Sequence, residues 1–192
     1  YREALDRLKA MGLVYPAFLT RGEVKARVSA FEREGGLWPR DPDGAPLYPT
    51  EERELSAAER EEKLATIDRH AWRLDMEKAL SLVGKPLIWQ ETGDGRKGEI
   101  EADPAAWGDV VLWRSDAPSS YHLAVTVDDA AQGVTHVVRG LDLFHATAVH
   151  RLLQELLGLT APVYHHHRLI SGPDGRKLSK SLGDTALSAL RA

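Results

Sequence analysis

Tyr121-His122-Leu123-Ala124-Val125-Thr126-Val127-Asp128-Asp129, followed by Gly133-Val134-Thr135-His136-Val137-Val138-Arg139-Gly140, is the stretch that decides the fold. The apolar run 121–127 predicts a buried strand. Asp128-Asp129 opens a short helical turn that ends at Gly133, and residues 134–138 predict a second strand with Arg139 at its C-terminal end. A helix of about 15 residues is expected next, carrying Leu152, Leu153, Leu156 and Leu157 to a stop at Gly158. Val163-Tyr164 and Leu169-Ile170 follow, then a Gly172-Pro173-Asp174-Gly175 turn and a basic loop. Strand, turn, strand, helix, strand is the layout of an α/β fold with a mostly parallel sheet, whose ligands bind beyond the C-terminal strand ends.

The rest of the chain reads outward from that block. Leu5, Leu8 and Met11 fall near helical spacing, and Gly12 stops them. Leu13-Val14-Tyr15 predicts a short strand before Pro16. Thr20-Arg21-Gly22-Glu23 and Ser56-Ala57-Ala58-Glu59 are capping boxes, in which a hydroxyl and a glutamate each satisfy an orphan N–H. The first opens a helix carrying Val24, Val28 and Phe31 to Gly35-Gly36, and the second opens a charged helix reaching Asp68. Between them Pro39, Pro42, Gly44, Pro46 and Pro49 predict a long surface loop over 37–55. Residues 71–75 read as a strand, 76–83 as a short helix and 87–114 as strand-rich, with Trp72, Trp89, Trp107 and Trp113 as the core of this middle region.

A chain of 192 residues with 43% hydrophobic content can bury one sizeable core. No apolar run approaches the roughly 20 residues of a membrane span, so no membrane partner is expected; a cytoplasmic location, which the lack of cysteine fits, and a monomer are expected as well. The chain opens inside an amphipathic segment with no leader and no Met, which reads as a fragment. The absence of cysteine excludes disulfides and thiolate metal sites. A net charge of −4 excludes an overall basic coat but leaves room for a local basic stripe facing nucleic acid.

Lys177-Leu178-Ser179-Lys180-Ser181, behind Gly172-Pro173-Asp174-Gly175-Arg176, is a glycine-bounded loop with three cations and two small hydroxyls. Such a loop can wrap a polyphosphate, although a string like this taken alone is more often a solvated basic turn. Set after a strand and a turn, it resembles the KMSKS signature of class I aminoacyl-tRNA synthetases, with Leu178 in place of Met. The block from Ser120 to Gly140, continuing through Leu141-Asp142-Leu143, closely resembles the glutamate-binding half of the glutamyl-tRNA synthetases. The resemblance implies that Tyr121 and Arg139 bind L-glutamate, and a planar guanidinium suits a carboxylate. It implies that Lys180, with Lys177, steadies the pyrophosphate leaving group, and that Ser179, Leu169 and Ile170 join Lys180 at ATP, which would bring Mg2+.

Within that family, the wording of 121–125 and 129–133 resembles the glutamyl-queuosine tRNA(Asp) synthetase branch. Its members are short relatives that attach glutamate to queuosine in the anticodon loop of tRNA(Asp). The resemblance therefore implies ATP-dependent glutamate activation and tRNA(Asp) with queuosine as the acceptor. The alternatives are a glutamyl-tRNA synthetase charging the 3′ end of tRNA(Glu), and a non-catalytic tRNA-binding paralogue. The implied division is 1–15 as the end of the first half of a Rossmann-like nucleotide-binding fold, 16–109 as an inserted α+β lobe facing tRNA, and 110–192 as the second half of the catalytic fold.

Two departures from the family pattern stand out. The HIGH-type segment is absent, so it is expected upstream of Tyr1, and the chain as written lacks part of its own active site. Many members bind zinc in the lobe through Cys-x-Cys and a later Tyr-x-x-x-Cys. Here Ala17, Leu19 and Glu52 stand at the cysteine positions and only Tyr48 matches, so no zinc and no other metal site is expected. The histidines do not change this. In a strand, only His165 and His167 of the 165–167 run could share a face, and cleft lining is the better reading for them. His136, His145 and His150 read as packing or surface residues, and Asp128-Asp129 fits a helix N-cap at least as well as a magnesium site.

Overall fold

The computed structural model describes residues 1–171. In chain order the elements are α1 (Arg2–Ala10), β1 (Val14–Ala17), α2 (Arg21–Arg33), α3 (Ala57–Thr66), β2 (Ala71–Leu74), α4 (Met76–Val83), β3 (Ile88–Glu91), β4 (Gly98–Glu101), β5 (Val111–Arg114), α5 (Tyr121–Ala131), β6 (His136–Gly140), α6 (Thr147–Leu157) and β7 (Val163–His167). Short 3-10 turns lie at Glu51–Glu54, Ala105–Trp107 and Leu141–Leu143. Both capping boxes form as the sequence predicts, with the Thr20 and Ser56 hydroxyls accepting from the N–H of Glu23 and Glu59. Among the described residues, no helix is long and apolar enough to cross a membrane.

Two sheets result. One is antiparallel in the order β1-β2-β5. Pro16 is tolerated inside β1, beyond the expected end of that strand, because β1 is an edge. The other sheet has the order β4-β3-β7-β6, with β3, β7 and β6 parallel and β4 antiparallel on the edge. β6, α6 and β7 form one parallel βαβ unit. β3 and β4 come from the 16–109 segment yet pair with this sheet.

The run 121–127 is a helix, not the expected strand. Ser120 caps it, its hydroxyl accepting from Leu123 N–H, and Leu123 and Thr126 are buried at helical spacing. The β-branched Thr126 is accommodated because its hydroxyl donates to the His122 carbonyl one turn back, at 2.8 Å. Asp128 and Asp129 therefore lie inside α5 rather than at its cap, and Asp128 accepts the Tyr1 hydroxyl at 2.6 Å.

α6 organises the core. Val149, Leu152, Leu153, Leu156 and Leu157 pack with Leu5, Leu8, Leu74, Leu112 and Leu123 in the main cluster. Ala148 and Phe144 pack with Trp89, Ile100 and Tyr164 under the parallel sheet. The tryptophans do not form a lobe core of their own: Trp89 belongs to the second cluster, and Trp72, Trp107 and Trp113 lie half-buried against the first.

A hydrogen-bonded clasp joins the positions where the family resemblance puts zinc ligands. The Tyr48 hydroxyl donates to Glu52 Oε2, and the same oxygen accepts from Phe18 N–H at 2.9 Å. The Tyr48 oxygen accepts from Leu19 N–H at 3.2 Å. Burial and the Glu52 carboxylate together push the Tyr48 phenol far above its ordinary value, so it stays a donor. Among the described residues, no group of three metal-ligating side chains occurs. Tyr48→Phe strips a partner from Glu52 and from Leu19 N–H, both in a closely packed place, and is expected to cost about 1–3 kcal/mol. The check is the urea midpoint at unchanged slope. An unchanged midpoint, or stoichiometric zinc on elemental analysis, would refute the clasp as the fastening between these two loops.

Candidate active site

Arg139, the penultimate residue of β6, is the centre of a polar cluster at the C-terminal ends of the parallel strands. Its register partner on β7 is His166. Arg139 Nε donates to His166 Nε2 at 3.0 Å, Nη2 to the Thr147 hydroxyl at 2.6 Å, and Nη1 to His150 Nδ1 at 3.1 Å. A longer contact of 3.5 Å runs from Nη1 to the Tyr121 hydroxyl. The guanidinium also lies over the Tyr164 ring, 5.1 Å from its centroid. Tyr121 is the first residue of α5 and is 49% exposed, so the pair borders solvent on the Tyr121 side.

The cluster is built by two periodicities. Along α6, the buried polar residues Thr147, His150 and Gln154 recur at helical spacing and face the sheet while the leucines face the main core. Along β7, Tyr164 and His166 share the inward side, with rings stacked at 8°, and His167 is exposed. Of the 165–167 run, His166 is the member that joins the Arg139 cluster. His150 is a buried packing residue, as expected, and it also hydrogen-bonds Arg139. Glu91 carried no signal in the sequence, whereas the polar spacing of Thr147, His150 and Gln154 inside a leucine helix could have pointed to those three.

Hydrogen-bond logic fixes the protonation of the three histidines around Arg139. A guanidinium can only donate, so His166 Nε2 and His150 Nδ1 must accept. His166 then carries its proton on Nδ1 and donates it to Glu91 Oε2 at 2.6 Å. His150 carries its proton on Nε2 and donates to His122 Nδ1 at 3.1 Å. Burial and the neighbouring cation agree with this. His122 is pushed down to about 4, and His150 and His166 also titrate below the ordinary histidine value, burial being the larger cause in each case. The site thus sets the Arg139 guanidinium among neutral imidazoles, with the Glu91 carboxylate behind His166 and the Asp129 carboxylate near enough to feel the Arg139 charge.

Hydrogen bonds to described residues engage four of the five Arg139 N–H groups. An incoming anion would meet the remaining Nη2 N–H and the Tyr121 hydroxyl, rather than two parallel bonds from the fork. Beside Tyr121 and His122 opens a cleft of about 700 Å³, lined also by Tyr48, Arg73, Trp107, Arg114 and Asp116. A second cleft, of about 630 Å³, shares Arg21, Tyr48 and Arg73 with it and continues past Lys25 and Arg40 along α2. Leu169 packs over Gly140 and Ile170 is 71% exposed. Lys177, Ser179 and Lys180 lie outside the described residues.

Comparison with known proteins adds the family context. Residues 1–189 match the family model described as tRNA synthetases class I (E and Q), catalytic domain. The chain is 44% identical over 196 residues to the glutamyl-Q tRNA(Asp) synthetase of Rhodobacter capsulatus, the whole chain aligning with 66% of that protein. It is 38% identical over 191 residues to glutamate–tRNA ligase 1 of Roseobacter denitrificans, here against 40% of the relative's length. The solved glutamate–tRNA synthetase of Elizabethkingia anophelis superposes with a TM-score of 0.70 at 25% identity, over 95% of this chain and 35% of that one. The chain therefore spans from 38% to 66% of the length of such curated relatives.

Proposed function

The chain belongs to the catalytic-domain family of the class I tRNA synthetases for Glu and Gln, and on that premise we propose that the protein activates L-glutamate with ATP and transfers the glutamyl group to a tRNA. The observation that carries the reading is the meeting of Tyr121 and Arg139 at the C-terminal edge of the parallel strands. That edge is where α/β sheets bind ligands, and the two residues offer a carboxylate a fixed cation and a hydroxyl.

Each residue then has a task. Arg139 and Tyr121 hold the glutamate so that its α-carboxylate can attack the α-phosphorus of ATP. The bond from that phosphorus to the bridging oxygen breaks, and pyrophosphate leaves with its electron pair. Lys180, supported by Lys177 and Ser179, balances the charge that gathers on it, and Leu169 and Ile170 flank the nucleotide. Magnesium would arrive held largely by the phosphates, which supply its oxygen ligands. The acceptor's hydroxyl then displaces AMP from the glutamyl carbon.

For the acceptor, we favour queuosine in tRNA(Asp). The support is the wording of residues 121–140 and the 44% identity to a relative named for that activity. The two clefts support an RNA partner of some kind, since Arg114, Arg73, Arg21, Lys25 and Arg40 line them, interspersed with Asp41, Asp109, Asp116 and Glu32, and Trp107 offers a ring surface. Charging of tRNA(Glu) is the second reading, favoured by the 38% identity to a glutamate–tRNA ligase.

The test offers labelled glutamate and ATP to the full-length protein with tRNA(Asp) carrying queuosine, the same tRNA carrying guanosine, or tRNA(Glu). Label on the queuosine form alone is expected. Label on tRNA(Glu), or equal label on both forms of tRNA(Asp), would overturn the queuosine assignment in favour of the second reading.

A further inference from the structure

We infer that Glu91 and His166 are positioning residues for Arg139: the Glu91 carboxylate fixes the tautomer and orientation of the His166 imidazole, and the imidazole in turn aims the guanidinium. The inference rests on the reading that Arg139 receives the glutamate substrate.

Glu91 cannot itself touch a substrate. It ends β3, is 2% exposed, and both of its oxygens are fully engaged. Oε1 accepts from the N–H groups of Gly93 and His166 at 2.8 and 3.0 Å. Oε2 accepts from the Trp89 indole at 3.2 Å and from His166 Nδ1 at 2.6 Å. A carboxylate has about four lone-pair sites, and all are used. Burial alone would raise this acid, but the His166 and Gly93 hydrogen bonds outweigh it and hold Glu91 ionised.

The backbone around Glu91 is shaped to permit this. A Cβ on Gly93 would lie 2.3 Å from the His166 carbonyl oxygen and 2.6 Å from its nitrogen. Only glycine lets β3 run this close to β7 with its N–H turned onto Glu91.

The interposed imidazole has a chemical purpose. All of Arg139's side-chain hydrogen-bond partners among the described residues are neutral: His166, His150, Thr147 and Tyr121. A carboxylate bonded directly to Arg139 would compete with the substrate's own carboxylate. Glu91 instead acts one ring away, passing on orientation while leaving the positive charge for the ligand. A merely structural reading makes Glu91 a satisfied core acid that ties β3 to β7. The two readings differ in whether the imidazole's tautomer matters to glutamate.

The experiment uses glutamate-dependent ATP–pyrophosphate exchange by the full-length protein. Glu91→Gln keeps an oxygen for the two backbone N–H groups but turns an amide donor toward His166 Nδ1. The imidazole must then carry its proton on Nε2, against the Arg139 N–H. The KM for glutamate is expected to rise about ten-fold or more, with the KM for ATP little changed, the scale of one lost hydrogen bond to a charged group. Because the effect runs through the ring, adding Glu91→Gln to His166→Gln should cost nothing further. A glutamate KM unchanged in Glu91→Gln, or losses that multiply in the double variant, would overturn the inference while leaving the glutamate reading intact. Absence of exchange in the unmodified protein would overturn both readings. If Glu91→Gln does not fold, nitrogen-15 histidine spectra of the unmodified protein decide. His166 as the neutral Nδ1–H tautomer at neutral pH is the expected result, and an imidazolium or Nε2–H form would refute it.

Discussion

Arg139→Leu is expected to lower kcat/KM for glutamate by about a thousand-fold, from losing roughly 4 kcal/mol of charge-assisted binding. The size follows from the site's construction. Tyr121 lies at the solvent boundary and carries no charge, so the substrate carboxylate would have no countercharge left among the described members of the cluster. Arg139→Lys should recover only part of the loss. An ammonium keeps the charge, but it cannot donate in one plane to His166, His150 and Thr147 while also facing the ligand. The loss should fall on the KM for glutamate and leave the KM for ATP nearly unchanged. Steady-state exchange with each substrate varied in turn separates the two, and thermal unfolding checks that the variants fold. A loss confined to a few-fold would remove Arg139 from glutamate recognition.

How far this site could be read from the sequence depended on the reach of each signal. Capping boxes are local, so Thr20–Glu23 and Ser56–Glu59 were legible as helix starts. The segment 76–83 was legible as a helix, with its αL stop at Gly84. The run 121–127 was misread because a short apolar stretch rich in Val and Thr fits a buried strand and a buried helix equally well. Ser120, which caps the helix three residues before Leu123, was the overlooked signal.

Tyr121 and Arg139 were named from resemblance, and 18 residues separate them in the chain. Glu91 had no such route to notice. It meets His166 across 75 residues, through the parallel pairing of β3 with β7, and no periodicity within either segment announces that pairing. The zinc positions show the intermediate case. That Ala17, Leu19 and Glu52 are not cysteines was plain in the sequence, but the hydrogen bonds that Glu52 and Tyr48 make to the 18–19 backbone became visible only once the two loops were side by side.

Lys180→Ala is expected to act on the other half of the reaction and to lower the rate of glutamate-dependent ATP–pyrophosphate exchange by about 100-fold or more, the scale of losing one strong transition-state contact. The expectation comes from the resemblance of Lys177-Leu178-Ser179-Lys180-Ser181 to the KMSKS signature, which implies this role for Lys180. As the bond to the bridging oxygen breaks, negative charge collects on the departing pyrophosphate. A cation that meets this charge lowers the barrier without holding the amino acid. The loss should therefore appear in kcat, with the KM for glutamate nearly unchanged, which is the reverse of the pattern expected for Arg139. Lys180→Arg should keep part of the rate, because it keeps the charge but not the compact ammonium. Arg139→Lys and Lys180→Ala combined should multiply their effects if the first weakens binding of the amino acid and the second slows the chemical step. An exchange rate for Lys180→Ala within a few-fold of the unmodified protein would exclude the loop from catalysis and leave the polyphosphate without an assigned countercharge.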